Sequence, residues 1–180
     1  MGCIPSSHDD IEYNNTTKFP VYGKEDIMSR KAHGTSETPV QSVLRWDCSF
    51  RESDRICNYN RRFAESSGSF QKNALFAKEF TRAKKAGETI KFYDSNTGNL
   101  LFEAPKGRTH NEFWRESQLH GWPSFRDQEV NWDFVRCLKN GESVSIHGTH
   151  LGHNLPDRKN RYCINLVSVA GQPSEQAQQQ

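Results

Sequence analysis

The sequence predicts a mainly β, α+β domain in which antiparallel sheets carry short helices on their N-terminal side. Two hairpin patterns and one amphipathic helical stretch lead to that prediction. Thr89 to Tyr93 and Leu100 to Glu103 flank the turn-forming run Asp94-Ser95-Asn96-Thr97-Gly98. Trp132 to Leu138 is separated from Ser143 to Ile146 by a connection containing Asn140-Gly141. The third observation is Gln71 to Ala86, which sets Leu75, Phe76, Phe80 and Ala83 on one side and Lys72, Lys78, Arg82 and Lys85 largely elsewhere, with Gly87 as a C-terminal cap.

Two further elements complete the domain. Thr109 and Glu112 stand in capping-box spacing ahead of Phe113 and Trp114, and Gly121 ends a second, shorter helix. Arg161 to Val169 is rich in β-branched and aromatic residues and reads as a buried strand. Side chains alternate along a strand, so Arg161, Cys163 and Asn165 would share one face and Tyr162, Ile164 and Leu166 the other. The ends of the chain carry few apolar residues. With 180 residues, 33% of them hydrophobic, and a mean hydropathy of −0.90, the chain has material for one core. The predicted organisation is a flexible tether over 1–40, a single domain over 41–171 and an unfolded Gln-rich tail over 172–180.

Charge and cysteine usage exclude several classes of function. A formal net charge of +2 provides no overall field for capturing nucleic acid. No stretch of the chain is apolar enough to span a membrane, and no secretory signal opens it. Cys3, Cys48, Cys57, Cys137 and Cys163 form no C-x-x-C pair and no regular framework, which suits reduced thiols in a cytosolic setting. The opening Met1-Gly2-Cys3-Ile4-Pro5-Ser6 fits the N-myristoylation pattern at Gly2. One acyl chain anchors only marginally, and acidic residues outnumber basic ones between Met1 and Val40. The expected second anchor is therefore a palmitoyl group on Cys3, holding the protein at the cytosolic face of a membrane.

The chemistry concentrates near the end of the domain. Arg161-Tyr162-Cys163-Ile164-Asn165 follows His150-Leu151-Gly152-His153, with Gly121-Trp122-Pro123-Ser124-Phe125 upstream. A cysteine on a strand is by itself an ordinary core residue, and a histidine pair spaced by three is by itself ordinary loop structure. Together they make a thiol-based redox site, because a guanidinium two residues away and nearby imidazoles favour the thiolate, the attacking form of the sulfur.

These three runs, in this order, resemble the successive signatures of the methionine-R-sulfoxide reductases, over roughly residues 92–170. The resemblance implies two antiparallel sheets of the β-tent type and reduction of the R epimer of methionine sulfoxide in proteins or peptides, a protein-repair activity. It implies that Cys163 attacks the sulfoxide sulfur while His150 or His153 protonates the oxygen. Trp122, with Phe125, would bind the substrate methyl, Asn165 would hold the histidines or a water, and Arg161 would favour the anionic sulfur. Cys163 would be left as a sulfenic acid. No cysteine stands directly before Gly121, where His120 sits, so Cys137, Cys57 and Cys48 are the candidates for a resolving thiol. Many members bind zinc through two C-x-x-C pairs; here those places fall to Asp94 with Thr97 and Val144 with His147, so no metal and no bound cofactor is expected. The expected partners are an oxidised protein or peptide, a thioredoxin-like or small-thiol reductant and, through the lipid anchor, a membrane. A monomer without nucleic acid is expected. A second reading keeps the same fold as a non-catalytic adaptor that binds oxidised methionine or senses redox state.

Overall fold

A computed structural model describes residues 18–180. Gly2 and Cys3 lie outside the described residues. The architecture is α+β with two antiparallel sheets, as the sequence predicts. Strands β1 (Ile90–Tyr93) and β2 (Leu100–Ala104) form a two-stranded sheet. The five-stranded sheet contains β3 (Ser124–Phe125), β4 (Val135–Cys137), β5 (Glu142–Ser145), β6 (His150–Asn154) and β7 (Tyr162–Ile164), in the order β3-β7-β6-β5-β4. Strand β7 is thus an interior strand next to the edge strand β3, and it pairs with β3 on one side and β6 on the other.

Among the described residues four α-helices precede or interrupt the strands: α1 (Phe50–Asp54), α2 (Ser69–Lys72), α3 (Ala74–Ala86) and α4 (His110–His120). The helix expected over Gln71–Ala86 is broken at Asn73. Its side chain accepts the Phe76 N–H at 2.9 Å and donates to the Trp46 carbonyl at 3.0 Å, so it caps α3 instead of continuing a helix from α2. Phe76, Phe80 and Ala83 are buried at helical spacing, while Leu75, expected beside them, is 51% exposed because it lies outside that stripe. In α4 both halves of the Thr109–Glu112 capping box form, and Gly121 takes a left-handed cap with φ 93°.

Aromatic rings fill the space between helices and sheets. Phe125 stacks on Phe102 with centroids 4.4 Å apart and meets Phe92 edge-on, while Phe76 and Phe80 pack on Trp114. Burying one such side chain contributes roughly 1.5–3 kcal/mol.

Three expectations need correction. The strand expected over Arg161–Val169 ends at Ile164, and Leu166–Ser168 forms a 3₁₀ turn because backbone donors there turn toward the Glu65 carboxylate. Residues 20–40 are not a free tether. Gly23 donates to the Cys137 carbonyl and Cys137 to that of Val21, which covers the outer edge of β4, and Ile27 and Met28 pack with Leu138 and Val144. These contacts are irregular, so no periodicity in the sequence announces them. The tail over 172–180 is likewise held: Gln172 N–H donates to Gln41 Oε1 at 2.6 Å, Ser174 N–H to the Gly98 carbonyl, and Ala177 is buried.

Candidate active site

Cys163 is the middle residue of β7, an interior strand of the larger sheet. Its cross-strand neighbours are Ser124 on β3 and His153 on β6, and residues opposite each other across a ladder share a face. Its Sγ lies 3.5 Å from Ser124 Oγ and 2.8 Å from an Arg161 guanidinium nitrogen, a charge-assisted contact that suits an anionic sulfur. The sulfur is not sealed in hydrocarbon. Cys163 is 7% exposed and lines a cavity of about 370 Å³ with Trp122, His150, His153 and Asn165.

A pair of histidines spaced by three would point to opposite faces of a regular strand. Here β6 carries a bulge: Val144 pairs with His150 but Ser143 pairs with Gly152, leaving Leu151 as an extra residue. The bulge sends Leu151 into the core and brings both imidazoles to the cavity. Gly152 serves the same geometry, because a Cβ there would meet the Cys163 carbonyl oxygen at 2.0 Å.

The two imidazoles differ in support. His150 Nδ1 lies 2.8 Å from Glu142, and Arg61 reaches the same carboxylate through Nε and Nη2, the latter at 2.6 Å. Burial pushes the Glu142 carboxyl up, but hydrogen bonds from His150 and Arg61 together outweigh it and hold the carboxyl below its ordinary value. An ionised carboxylate only accepts, so Nδ1 of His150 carries the proton and Nε2 is the nitrogen left to exchange one. Arg61 also pairs with Glu25, which joins the otherwise irregular N-terminal segment to this network. His153 has no comparable carboxylate among the described residues; its ring lies against Gly141.

Trp122 and Asn165 are held by one segment that motif reasoning left unassigned. The Trp122 indole N–H donates to the Glu65 carbonyl at 2.9 Å, and the Glu65 N–H donates to Asn165 Oδ1 at 2.9 Å. The Glu65 carboxylate accepts the N–H groups of Leu166 and Val167. Burial pushes its carboxyl up to about 7, against the pull of those two backbone donors. The run Arg61-Arg62-Phe63-Ala64 thereby walls the cavity. Asn165 does not hold the histidines: its Nδ2 donates to the Leu151 carbonyl, so it ties the wall to β6.

Phe125 does not line the cavity. It alternates with Ser124 on β3, and because Ser124 faces Cys163, Phe125 faces the core and is fully buried. Strands β5 and β6 separate Cys137 from Cys163, which puts their Cα atoms about 14 Å apart at ordinary strand spacing, beyond the reach of a disulfide. Burial pushes the thiols of Cys48, Cys57 and Cys137 up to about 12. All three are free thiols.

The positions compared with zinc ligands differ in what they offer. Val144 has no donor atom, and Asp94 is buried, accepting from Thr149 Oγ1 at 2.8 Å and the Asn96 N–H at 2.9 Å. Asn96 in turn reaches Asn58, Ser36 and Thr149, so polar side chains staple the β1–β2 turn to the start of β6. Among the described residues no group of three or more His, Cys, Asp or Glu side chains is arranged to hold a metal ion.

Compared with protein-family models, curated proteins and solved structures, the chain has no match. Glu142, Arg61 and Glu65 are the site residues that the motifs did not contain. The only sequence signal for Glu142 was its place beside the Asn140-Gly141 turn.

Proposed function

We propose that the chain reduces the R epimer of methionine sulfoxide in peptides or proteins, with Cys163 as the nucleophile. The observation that carries this reading is the Cys163 sulfur 2.8 Å from a guanidinium nitrogen, in a cavity walled by an indole and two imidazoles. Cys163 thiolate attacks the sulfoxide sulfur. The attack joins Sγ to the substrate sulfur; a proton from His150 Nε2, with Glu142 at its other nitrogen, and one from solvent let the oxygen leave as water. Water then adds to Cys163 Sγ, breaking the S–S bond so that its electron pair departs with methionine, a proton returns to solvent and Cys163 is left as a sulfenic acid. Positioned proton donors of this kind contribute about a hundred- to ten-thousand-fold in rate. Trp122 offers an apolar face for the substrate methyl, and fixing that methyl selects one epimer.

An external thiol closes the cycle. It condenses with the sulfenic acid to a mixed disulfide and water, and a second thiol releases Cys163 and leaves as the oxidised dithiol. The strand order separating Cys137 from Cys163 and the high thiol pKa values of Cys48, Cys57 and Cys137 support direct reduction by a small thiol or a thioredoxin-like protein.

The same reading places the protein on the cytosolic face of a membrane through acyl groups on Gly2 and Cys3. No helix among the described residues is long and apolar enough to cross a membrane. A non-catalytic adaptor that binds oxidised methionine is the second reading, favoured by the distance of Cys137 from Cys163. The test is an assay with separate R- and S-sulfoxide peptides and excess dithiothreitol. The expected result is repeated turnover of the R peptide alone, lost in Cys163→Ser. Tight binding of the R peptide with no turnover would select the adaptor.

A further inference from the structure

A second and larger cleft, about 1130 Å³, opens between α4, the turn at residues 106–108 and the loop joining β6 to β7. Within it, two arginines are engaged by carboxylates: Arg108 pairs with Glu116 and Glu129, and Arg126 with Glu116 and Asp157. The rim differs. Lys18, Arg115, Arg158 and Lys159 are exposed, and none pairs with a carboxylate among the described residues; Leu119 stands beside them 75% exposed. Glu112 is the one exposed carboxylate of the lining outside these ion pairs, so cations remain in excess on the rim, beside one large aliphatic side chain.

We propose that this rim is a docking face for an anionic membrane surface, resting on the acyl-anchor reading of Gly2 and Cys3. Lys18, the first described residue, lines the cleft, and Gly2 precedes it by sixteen residues in the sequence, a length of chain that spans at most about 55 Å. Anchored by that segment, the protein presents these four cations and Leu119 to the headgroups. The basic surface that residues 1–40 lack is assembled instead from residues distant in sequence. It also orients the active site. Leu155 lines the Cys163 cavity and Pro156 the cleft, so a single loop separates them and docking sets the cavity mouth beside the membrane. The substrates within reach are oxidised methionines in cytosolic segments of membrane-associated proteins.

The test uses the full chain made without acylation, sedimented with vesicles of phosphatidylcholine alone or with a third of it replaced by phosphatidylserine. Each cation near such a surface strengthens partitioning about fivefold, so R115E/R158E/K159E is expected to weaken binding to the anionic vesicles at least about a hundredfold. Raising salt from about 0.15 M to about 1 M is expected to remove the binding. Undiminished reduction of a soluble R-sulfoxide peptide by the triple variant shows that its fold is intact. Equal partitioning to both vesicle types, or no effect of the triple substitution, overturns the docking face. The acylated protein separates the two readings. If it binds neutral and anionic vesicles equally and Gly2→Ala abolishes both, the anchor stands and the docking face fails. If Gly2→Ala changes nothing while charge reversal releases the protein, the anchor fails and the docking face stands.

Discussion

At the scale of single residues, the division of labour between the two histidines is the sharpest consequence of the geometry. Of the two, His150 has a carboxylate at Nδ1. Replacing His150 by Ala is expected to lower kcat about a hundred- to ten-thousand-fold, whereas His153→Ala acts through packing against Gly141 and Cys163 and costs less. Glu142→Gln removes the anion that fixes the tautomer. Its expected signature is a fall in kcat with KM little changed; an unaltered kcat would remove Glu142 from its positioning role. Arg161→Lys is not conservative either, since a single ammonium cannot reproduce the guanidinium reach to Cys163.

At the scale of elements, the β6 bulge makes the site. Gly152→Ala would drive a Cβ to within 2.0 Å of the Cys163 carbonyl. The β6–β7 ladder must then shift, at a cost of about 1–3 kcal/mol. Thermal denaturation should show a loss of roughly 2–4 °C per kcal/mol for a chain of this size, with activity falling further than stability. This scale also shows what the sequence could reveal. The β1–β2 and β4–β5 hairpins and the capped helix α4 were legible because turn and cap residues act locally. The sharing of one cavity by Cys163, His150 and His153 was legible from motif order. The bulge was not, because an inserted residue changes only the pairing register. The Glu65 wall was not either, since its bonds to Asn165, Leu166 and Val167 span a hundred residues or more. Residues 20–40 and 172–180 read as unfolded because they are held by scattered backbone bonds and isolated apolar contacts that no period predicts.

At the scale of the whole molecule, Glu65 couples the cavity wall to pH. The unfolded chain releases this proton near 4.5 and the folded chain only near 7, so between those values the folded state binds more protons and stability falls as pH rises. The effect is on the order of 3 kcal/mol. Denaturant titrations of the protein and of Glu65→Gln should diverge across that window, the variant lacking the decline; parallel curves would contradict the assignment. The proposed membrane orientation belongs to this scale as well, since the surface it needs is built from α4 and the β6–β7 loop together with Lys18.

The most direct measurement is a single turnover without added thiol, followed by mass analysis of the peptide containing Cys163. The mechanism predicts one methionine released per protein and one oxygen atom gained at Cys163, trapped by dimedone as a sulfenic acid and absent when the S epimer is supplied. Methionine released with no oxygen on Cys163, or oxygen on another cysteine, would contradict it.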